Sequence, residues 1–528
     1  TEDGARKMSL PAFSLIADCI RAHARTAPQR PALREGTQHL SYAQLDAAMD
    51  RVAATLQRDG LKPGDAVAIC AGNSVDAAVI FLGALRAGVV VAPLAPGAGA
   101  ASLARMADDA EAKLLFADES LDDGTVEAAM KAQRTGHMSL PRIAIGPNRA
   151  HSPGRSLESW LAPAGATPRA VKIAPGAPFN IIYSSGTTGE PKGIVQPHSM
   201  RWAHVSRASR YGYGPRTVTL LSTPLYSNTT LVVFFPTLAF GGCVALMRKF
   251  DARGYLELAE QLRVTHTMLV PVQYRRIMAL PEFDGFDLSS FEVKFSTSAP
   301  FGAALKADVL QRWPGGLVEF YGMTEGGGTC ILEAHLHPAK LHTVGQPAEG
   351  HDIRLIDEQG REVRAGEAGE VVGHSGGMMV GYHRQPAKTR EAEWFAPDGK
   401  RFIRTGDVGR FDAEGFLTLF DRRKDMIISG GFNIYPSDLE AVLRQHPAVD
   451  DVSVVGVPSD EWGETPVAFV VRKASDNTDA DTLRQWANAR VGKTQRLSGL
   501  RFIGELPRSA IGKVLKRELR ELWALQRG

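Results

Sequence analysis

One short stretch combines hydroxyl, glycine and lysine residues at a spacing that suits anion binding. Residues 183–193 read YSSGTTGEPKG and follow the apolar, β-prone run Phe179–Tyr183. The pattern predicts a strand that leads into a flexible loop. Glycines let successive backbone N–H groups point inward and a lysine adds positive charge, so the natural ligand is a polyphosphate. The candidate phosphate-binding residues are Ser184, Ser185, Gly186, Thr187, Thr188, Gly189 and Lys192.

This loop differs from a Walker P-loop. That motif places four residues between its first glycine and the Gly-Lys pair, and Ser or Thr follows the lysine to hold magnesium. Here Gly193 follows Lys192, and a proline stands where a helix would begin. A plain Ser/Gly-rich surface turn explains any one of these residues, but it does not explain the whole string.

Two further motifs place polar groups where predicted strands end. Residues 320–325, FYGMTE, follow an apolar strand, and ligand sites of α/β proteins form at the carboxyl ends of strands. Tyr321 suits stacking on a purine, and Glu325 offers a hard oxygen ligand for Mg²⁺. Residues 404–407, RTGD, place Asp407 in a turn, where a carboxylate can bind two vicinal hydroxyls such as those of ribose. Without the surrounding motifs, the alternative interpretation of Glu325 is a solvated surface carboxylate, and that of Asp407 is a side chain that caps the next turn.

The composition favours a globular protein of two or more domains and excludes several classes of protein. A chain of 528 residues is too long for one core, and its 44% hydrophobic and 23% charged residues are ordinary for a globular protein. The net charge is only +3, and no basic cluster with interleaved aromatics indicates nucleic acid. The cysteines are far apart, which argues against a zinc site or a disulfide framework and fits a reducing compartment.

No segment of the sequence reads as a membrane anchor or a leader. The apolar stretches Ala77–Leu94 and Leu231–Met247 are interrupted by charged, glycine and proline residues, so each predicts a buried helix that turns into a buried strand. The charged start, Thr1–Ser9, lacks the apolar region of a signal peptide. We therefore expect a cytoplasmic protein without a transmembrane segment.

Helical patterns alternate with short apolar runs through roughly the first 400 residues, which predicts largely parallel sheets with helices on their faces. After about Phe402 the pattern changes to a small α+β module, and the charge run 421–425 is the expected linker. The predicted fold class is α/β: a large N-terminal domain of parallel and mixed sheets flanked by helices, residues 1–423, and a small α+β C-terminal domain on a hinge, residues 424–528.

The order of these motifs resembles that of the acyl-adenylate-forming enzymes, and specifically the AMP-forming acyl-CoA synthetase (acid–CoA ligase) branch. The resemblance spans roughly residues 30–525 and adds the hinge string DRRKD at 421–425 and the string LPRSAIGK at 506–513. It implies that Lys513, Thr188 and Glu325 are catalytic and that Glu325 binds Mg²⁺. Further ATP- and AMP-binding positions follow from it: Ser298, Ala299, Pro300, Glu319, Tyr321, Gly322, Met323, Thr324, Asp407 and Arg422.

The resemblance also implies an acyl and CoA pocket and a hinge at Lys424. The pocket positions are His198, Tyr226, Ser227, Asn228, Thr297, Gly326, Gly327, Gly430 and Gly431. Many relatives carry a histidine or a large aromatic gate where this chain has Ser227, so we expect Tyr226 or His198 to supply the gate. Residues 296–300, STSAP, replace a glycine-rich turn, and Ile428 replaces a second lysine found in some relatives.

The function implied is a two-step ligation that uses ATP, Mg²⁺ and CoA. A carboxylate attacks the α-phosphate to give acyl-AMP, and the CoA thiol then displaces AMP. No Asp near Tyr226 is available to pair with the amino group of an α-amino acid, and Phe234 and Phe235 favour an apolar acyl group. Aromatic, alicyclic and medium-chain fatty acids stay open, and so does a homodimer. One alternative is loading of a phosphopantetheine carrier protein, and another is a non-catalytic nucleotide-binding homologue.

Overall fold

A computed structural model describes residues 10–121, 140–146, 154–184, 192–422, 425–429, 432–474, 476–492, 495–509 and 512–525. The chain divides into two compact units. The first contains Thr1–Leu341, Ala348–Asp352 and His374–Ile403. The second contains His342–Pro347, Ile353–Gly373 and Arg404–Gly528. The predicted boundary at 423/424 lies inside the second unit and stays a prediction, since its hinge residue, Lys424, is outside the described residues.

The helices of the described residues are, in chain order, α1 Ile16–Thr26, α2 Tyr42–Arg58, α3 Val75–Arg86, α4 Ala100–Asp109, α5 Leu157–Trp160, α6 His198–Ala208, α7 Asn228–Ala239, α8 Ala252–Gln261, α9 Pro271–Met278, α10 Ala303–Arg312, α11 Pro386–Glu391, α12 Pro436–Leu443, α13 Ala480–Asn488 and α14 Lys516–Leu525. None of these described helices is both long and apolar enough to cross a bilayer.

The described strands are β1 Pro31–Glu35, β2 Gln38–Ser41, β3 Ala66–Cys70, β4 Val90–Leu94, β5 Ala112–Ala117, β6 Arg142–Ala144, β7 Arg155–Ser156, β8 Pro178–Ser184, β9 Lys192–Pro197, β10 Val218–Leu221, β11 Cys243–Leu246, β12 His266–Leu269, β13 Val293–Ser296, β14 Gly316–Tyr321, β15 Cys330–Glu333, β16 Gln346–Pro347, β17 Asp352–Ile356, β18 Gly369–His374, β19 Gly381–Tyr382, β20 Glu393–Phe395, β21 Arg401–Phe411, β22 Leu417–Arg422, β23 Ile427–Ser429, β24 Phe432–Ile434, β25 Val449–Ser459, β26 Gly463–Arg472 and β27 Gly499–Phe502.

Two mixed sheets form the first unit. One runs β15-β14-β13-β12-β10-β11-β1-β2, and the other runs β19-β9-β8-β4-β3-β5-β6-β7. Their central pairs are parallel, as in β12–β13 and β3–β4, and β8–β9 and β14–β15 are antiparallel. Strands such as β3 are buried along their whole length, which explains their continuous apolar sequence. The predicted α/β class is confirmed.

Local sequence signals fix several helix starts. Ser41 caps α2 in a reciprocal capping box with Gln44. Ser74, and not Asn73, caps α3. Asn73 instead donates to the Thr223 carbonyl oxygen at 2.9 Å and accepts from the Leu225 backbone N–H at 2.8 Å. It therefore ties the start of α3 to the loop that precedes α7.

Helices α2 and α3 approach each other at a glycine. A Cβ added at Gly83 would lie 2.5 Å from the Cβ of Val52, closer than two carbon atoms can come. The absence of a side chain at Gly83 therefore sets the distance between these helices, whose other contact residues, such as Met49 and Ile80, belong to the same core.

The second unit contains two smaller sheets. Strands β17, β18, β21 and β22 form one, and the other runs β24-β23-β26-β25 with β27 paired to β26. Strands β25 and β26 form a long antiparallel hairpin, and β27 joins β26 in parallel. Helices α12 and α13 cover this sheet through a core that includes Leu439, Leu443 and Leu483. The small α+β module predicted after residue 402 is therefore present.

Burial keeps several histidines of the first unit neutral. It lowers the pKa of His198, His266 and His351 to about 4, and that of His204 well below its ordinary value. The ring of His266 is fully enclosed: Nε2 donates to the Tyr211 carbonyl oxygen at 2.7 Å, so Nδ1 of the neutral ring accepts from the Thr265 hydroxyl at 2.8 Å.

We predict that His266→Gln makes the stability of the protein less sensitive to acid. The folded pKa of His266 is about 4 and its ordinary value is 6.5, so the unfolded chain binds the proton first as the pH falls. The stability contributed by the neutral ring is present above pH 6.5 and is lost toward pH 4. Urea titrations near these limits should show a loss of unfolding free energy smaller by roughly 1–2 kcal/mol in His266→Gln than in the wild type.

The exposed His39 supplies the matched control. His39→Gln should keep the wild-type pH dependence. An equal acid sensitivity in wild type and His266→Gln would show that the ring of His266 is protonated in the folded protein.

Candidate active site

The phosphate-loop candidate closes a β-hairpin. Strands β8 and β9 pair antiparallel, with Ser184 opposite Lys192. The two residues are therefore the first and last described positions around the predicted anion loop. The remaining candidates of this loop, Ser185, Gly186, Thr187, Thr188 and Gly189, lie outside the described residues.

Glu325 is held beside this hairpin by a tyrosine. The hydroxyl of Tyr382 donates to Glu325 Oε1 at 2.9 Å, and the Glu325 carbonyl oxygen accepts from Met379 N–H at 2.8 Å. The ammonium of Lys192 lies 5.2 Å from the centroid of the same Tyr382 ring. Burial and the nearby Glu325 carboxylate raise the pKa of Tyr382, so its hydroxyl stays a donor at neutral pH. The side chain of Tyr382 thus contacts both the Lys192 ammonium and the Glu325 carboxylate, beside the β8–β9 hairpin.

The turn before Glu325 continues directly from β14. Tyr321 is the last residue of that strand and pairs with Cys330 of β15. Gly322 follows at an exposed position, and Met323 and Thr324 are half-buried. The predicted nucleotide positions Tyr321, Gly322, Met323 and Thr324 therefore do form one strand end and turn.

A buried arginine on α6 connects this turn to the hairpin. The guanidinium of Arg201 is about 1% exposed and donates to the side-chain oxygens of Asn180 on β8, Gln196 on β9 and Asn228 on α7. Gln196 in turn donates to the Thr324 carbonyl oxygen at 2.6 Å. Burial lowers the pKa of Arg201 to about 9, so the group is charged at neutral pH. Among the described residues only amide oxygens surround it, with rings of Phe179 and Phe235 on its faces.

The STSAP turn after β13 is strained at Ser298. This residue has φ +81°, a backbone conformation that only glycine adopts without cost. Its hydroxyl forms a hydrogen bond with that of Thr229 on α7, which holds the turn in place. Thr297 and Ala299 are half-buried and Pro300 is exposed, so this turn faces partly open space.

Glu319 lies apart from the other nucleotide candidates. Its side chain is buried and pairs with Lys306 of α10, whose ammonium also donates to the Leu341 carbonyl oxygen at 2.9 Å. Residues Glu319 and Phe320 point to opposite faces of β14, so Glu319 faces α10 while Phe320 faces α6. Burial raises the pKa of Glu319 and the Lys306 ammonium opposes this shift.

The acyl-pocket candidates have unequal exposure. Ser227 is buried and its hydroxyl caps α7 by accepting from Thr229 N–H, so it has a local structural use. Asn228 is engaged by Arg201 at 2.8 Å. His198 is buried against Phe179, 4.9 Å between ring centroids, whereas Tyr226 is half-buried. Of the two gate candidates, Tyr226 is the more accessible.

Backbone geometry favours glycine at the two positions after Glu325. Gly326 has φ +78°, and an added Cβ would lie 2.1 Å from the Gly377 carbonyl oxygen. Gly327 also has a positive φ, of +85°. The Phe234 and Phe235 side chains, from which an apolar acyl group was expected, are fully buried in the core of the first unit and do not bear on the pocket.

The remaining candidates belong to the second unit. Asp407 follows Gly406, φ +72°, and pairs across the ladder with Arg422 of β22. Lys513 is exposed in a tight turn closed by Ser509 N–H, which donates to the Lys513 carbonyl oxygen at 2.8 Å. Arg508 fixes this turn through the Gly512 carbonyl oxygen at 2.7 Å. Lys424, Gly430 and Gly431 lie outside the described residues.

Sequence reasoning missed the side chains that hold the site. Tyr382 lies 57 residues after Glu325, and Arg201 lies 21 residues after Asn180, so no local motif links them. A clue was available for Arg201, because an arginine on the apolar face of a helix needs buried acceptors.

The sequence and the fold match known protein families over most of the chain. The AMP-binding enzyme family matches residues 20–383, and the family of the AMP-binding enzyme C-terminal domain matches residues 438–513. ATP-bound MatB from Rhodopseudomonas palustris has 30% sequence identity and a TM-score of 0.84, and the match covers 96% of this chain and 99% of that chain.

Curated relatives match over nearly their full length. Indoleacetate–CoA ligase of Aromatoleum aromaticum is 31% identical over 523 residues, 96% of this chain and 98% of the relative. The fatty acid–acyl-carrier-protein ligase ScoC of Streptomyces coeruleorubidus is 30% identical over 521 residues, 97% of each chain. The chain therefore belongs to the AMP-binding, adenylate-forming enzyme superfamily and is an enzyme of its ATP-dependent acyl-CoA ligase family.

Proposed function

We propose that this enzyme is an AMP-forming carboxylic acid–CoA ligase for an acid with a largely apolar body, aromatic, alicyclic or medium-chain aliphatic. It joins the acid to AMP at the expense of ATP, and then transfers the acyl group to the thiol of CoA. The observation that carries this proposal is the arrangement of Lys192, Tyr382 and Glu325 at the mouth of the β8–β9 hairpin. A cation and an oriented carboxylate beside an anion-binding loop suit a nucleoside triphosphate and its metal ion.

The residues present fit a magnesium ion shared with the substrate. The described residues contain no cluster of three or more His, Cys, Asp or Glu that could enclose a metal by themselves. Mg²⁺ is usually bound by one or two carboxylates together with substrate phosphates and water. Glu325 would supply one such carboxylate, with Oε1 oriented by the Tyr382 hydroxyl. When bound, the ion would neutralise charge on the triphosphate.

In the first step an oxygen of the acid attacks the α-phosphorus of ATP, and the bond from that phosphorus to the bridging oxygen of pyrophosphate breaks. The acyl-AMP keeps the attacking oxygen, and pyrophosphate leaves with the electron pair. Lys192 and the Ser184–Lys192 loop bind the leaving phosphates, and Lys513 offsets the repulsion between carboxylate and α-phosphate. Tyr321 stacks on the adenine, and Asp407 binds the ribose hydroxyls.

In the second step the thiol of CoA attacks the acyl carbon and AMP leaves. A site that holds Lys513 over the phosphate has no room for a long pantetheine arm at the same place. Rotation about Lys424 would exchange the two arrangements, and Gly430 and Gly431 would let the arm pass close to backbone.

The thiol acceptor has two candidates. The relative from Aromatoleum is named as a CoA ligase, and ScoC is named as a ligase of an acyl-carrier protein. Both thiols end in the same pantetheine arm, so the alternative to free CoA is loading of a carrier-protein partner. The test is to incubate the enzyme with ATP, Mg²⁺ and a panel of acids, with CoA, with a holo-carrier protein, or with neither. AMP release accelerated by CoA supports the proposal, and acceleration by the carrier protein alone supports the alternative.

Lys513→Ala should separate the two half-reactions. Loss of one electrostatic contact to a transition state typically slows a reaction by about 10²–10³-fold, so adenylate formation should fall by this order. Thioester formation from supplied acyl-AMP should change much less. Arg517→Ala, which removes an exposed positive charge from α14, is the matched control and should leave both steps intact. Equal losses in both half-reactions would contradict a role for Lys513 confined to the first step.

Tyr382→Phe should raise the Mg²⁺ concentration that the enzyme requires and should leave KM for the acid nearly unchanged. The variant keeps the ring beside Lys192 and removes only the hydrogen bond to Glu325. A hydrogen bond to a charged group is worth roughly 1.5–3 kcal/mol, so kcat/KM for MgATP should fall about tenfold or more. The half-saturating Mg²⁺ concentration should rise, and KM for the acid should stay within about twofold. A wild-type Mg²⁺ dependence in the folded variant would show that Glu325 does not act on the metal.

A further inference from the structure

The C-terminal half of α6 carries basic side chains for which the described residues supply no acidic partner. We define the α6 basic cluster as His204 and Arg207 together with His351, which interacts with both. Arg207 Nη1 makes one weak hydrogen bond, to Thr329 Oγ1 at 3.4 Å, and the guanidinium lies 5.4 Å from the centroid of Phe320. Among the described residues no carboxylate forms an ion pair with Arg207. The carboxylate of Glu333 pairs with Arg210 instead, at 3.4 Å.

Buried polar atoms beside Arg207 also lack partners. Within the described part of the chain, His204 Nδ1 and the hydroxyl of Tyr211 are enclosed and make no hydrogen bond. Tyr211 is 91% buried, with its ring against Phe295 and Phe320 at 5.2 and 6.0 Å between centroids. Buried polar groups are nearly always paired, so two orphans next to a weakly bonded guanidinium indicate a missing ligand.

The side chains of the cluster are largely enclosed by the protein. His204 and Arg207 are both partly accessible to solvent, yet burial is the main cause that lowers the pKa of each. Burial and the charge of Arg207 also lower the pKa of His351 to about 4, so at neutral pH the imidazoles are uncharged and Arg207 carries the positive charge.

The α6 basic cluster lies against the turn that leads to Glu325. Thr329, which holds Arg207 through its hydroxyl and donates from its N–H to His351 Nδ1 at 3.0 Å, lines this turn from behind. A Cβ added at Gly322 would lie 3.4 Å from Thr329 Oγ1. The backbone of the turn at Gly322 therefore packs closely against Thr329, which contacts the cluster. The inner turns of the same helix carry His198, a candidate of the acyl pocket, and Met200 and Ala203, which pack on Gly377 beside Gly326.

Resting on the proposed function, we propose that the acid activated by this enzyme bears a second carboxylate at the end remote from the reacting carboxyl, and that Arg207 binds it beside Gly322. A carboxylate matches the planar fork of a guanidinium and would accept from Arg207 and Tyr211 together. The half-buried ring of Phe320 would contact the apolar body of the acid. A partly buried guanidinium without a carboxylate partner is unfavourable, and a dicarboxylic substrate would supply that partner where a wholly apolar acid would not.

The test compares acids that differ only at the remote end. Octanoate is paired with suberate, and cinnamates bearing a para methyl, hydroxyl or carboxylate form a second set, with AMP release as the readout. In the wild type, kcat/KM should be about tenfold or more higher for suberate than for octanoate. It should likewise be higher for the cinnamate with a para carboxylate than for those with a neutral para group. In Arg207→Met that preference should fall at least about tenfold, the order expected for a lost hydrogen bond between charged groups. Arg210→Met, four-fifths of a turn away and paired with Glu333, should keep the wild-type preference.

Arg207→Lys is a control for the possibility that Arg207→Met does not fold. It retains the charge and loses the fork, so it should retain part of the preference, and thermal unfolding should show both variants folded. A neutral acid used as fast as its dicarboxylate partner, or the same preference in Arg207→Met and wild type, overturns this inference alone. A preference for the para-hydroxyl acid over the para-carboxylate also overturns it, since a neutral group would then be the ligand. Failure of every acid to release AMP would instead contradict the proposed function.

Discussion

The buried charge of Arg201 is the constraint on which the arrangement of the first unit's site depends. A guanidinium cannot be left unsolvated, so the side-chain oxygens of Asn180, Gln196 and Asn228 must converge on it. These residues come from β8, β9 and α7. Gln196 also donates a hydrogen bond to the Thr324 carbonyl oxygen, which connects the network to the turn before Glu325. The hairpin of the phosphate loop, the start of α7 and the turn before Glu325 are thereby fixed to one another by a single polar network.

Two glutamates six residues apart on β14 and its turn are placed in opposite environments. Glu319 faces α10, where Lys306 compensates its buried charge. Glu325 lies past the strand end, where a tyrosine hydroxyl orients it and no described lysine or arginine neutralises it. A carboxylate that is already paired has little capacity for a metal ion, whereas one that is oriented and unpaired retains it. The alternation of side chains along the strand, followed by the turn at Gly322, assigns the two roles.

Sequence reasoning reached the features that depend on neighbours in the chain. The strand before the glycine-rich loop and the alternation of helices with buried strands both follow from local signals. It could not reach Tyr382 or Arg201, whose partners are far away in sequence and adjacent only through sheet pairing, as β19 lies against β9. It also misread Phe234 and Phe235, because an apolar helix face predicts burial without saying whether a core or a pocket covers it.

The central claim is that the acid becomes joined to AMP through one of its own carboxyl oxygens. The most direct measurement uses an acid that carries heavy oxygen in both positions of its reacting carboxyl group, with mass analysis of the nucleotide and phosphate products after turnover with CoA. The account predicts one heavy oxygen in AMP and none in pyrophosphate, because the attacking oxygen stays on the α-phosphorus when AMP leaves. Heavy oxygen in inorganic phosphate, accompanied by ADP, would show that the acid attacks the γ-phosphate and would contradict the adenylate mechanism.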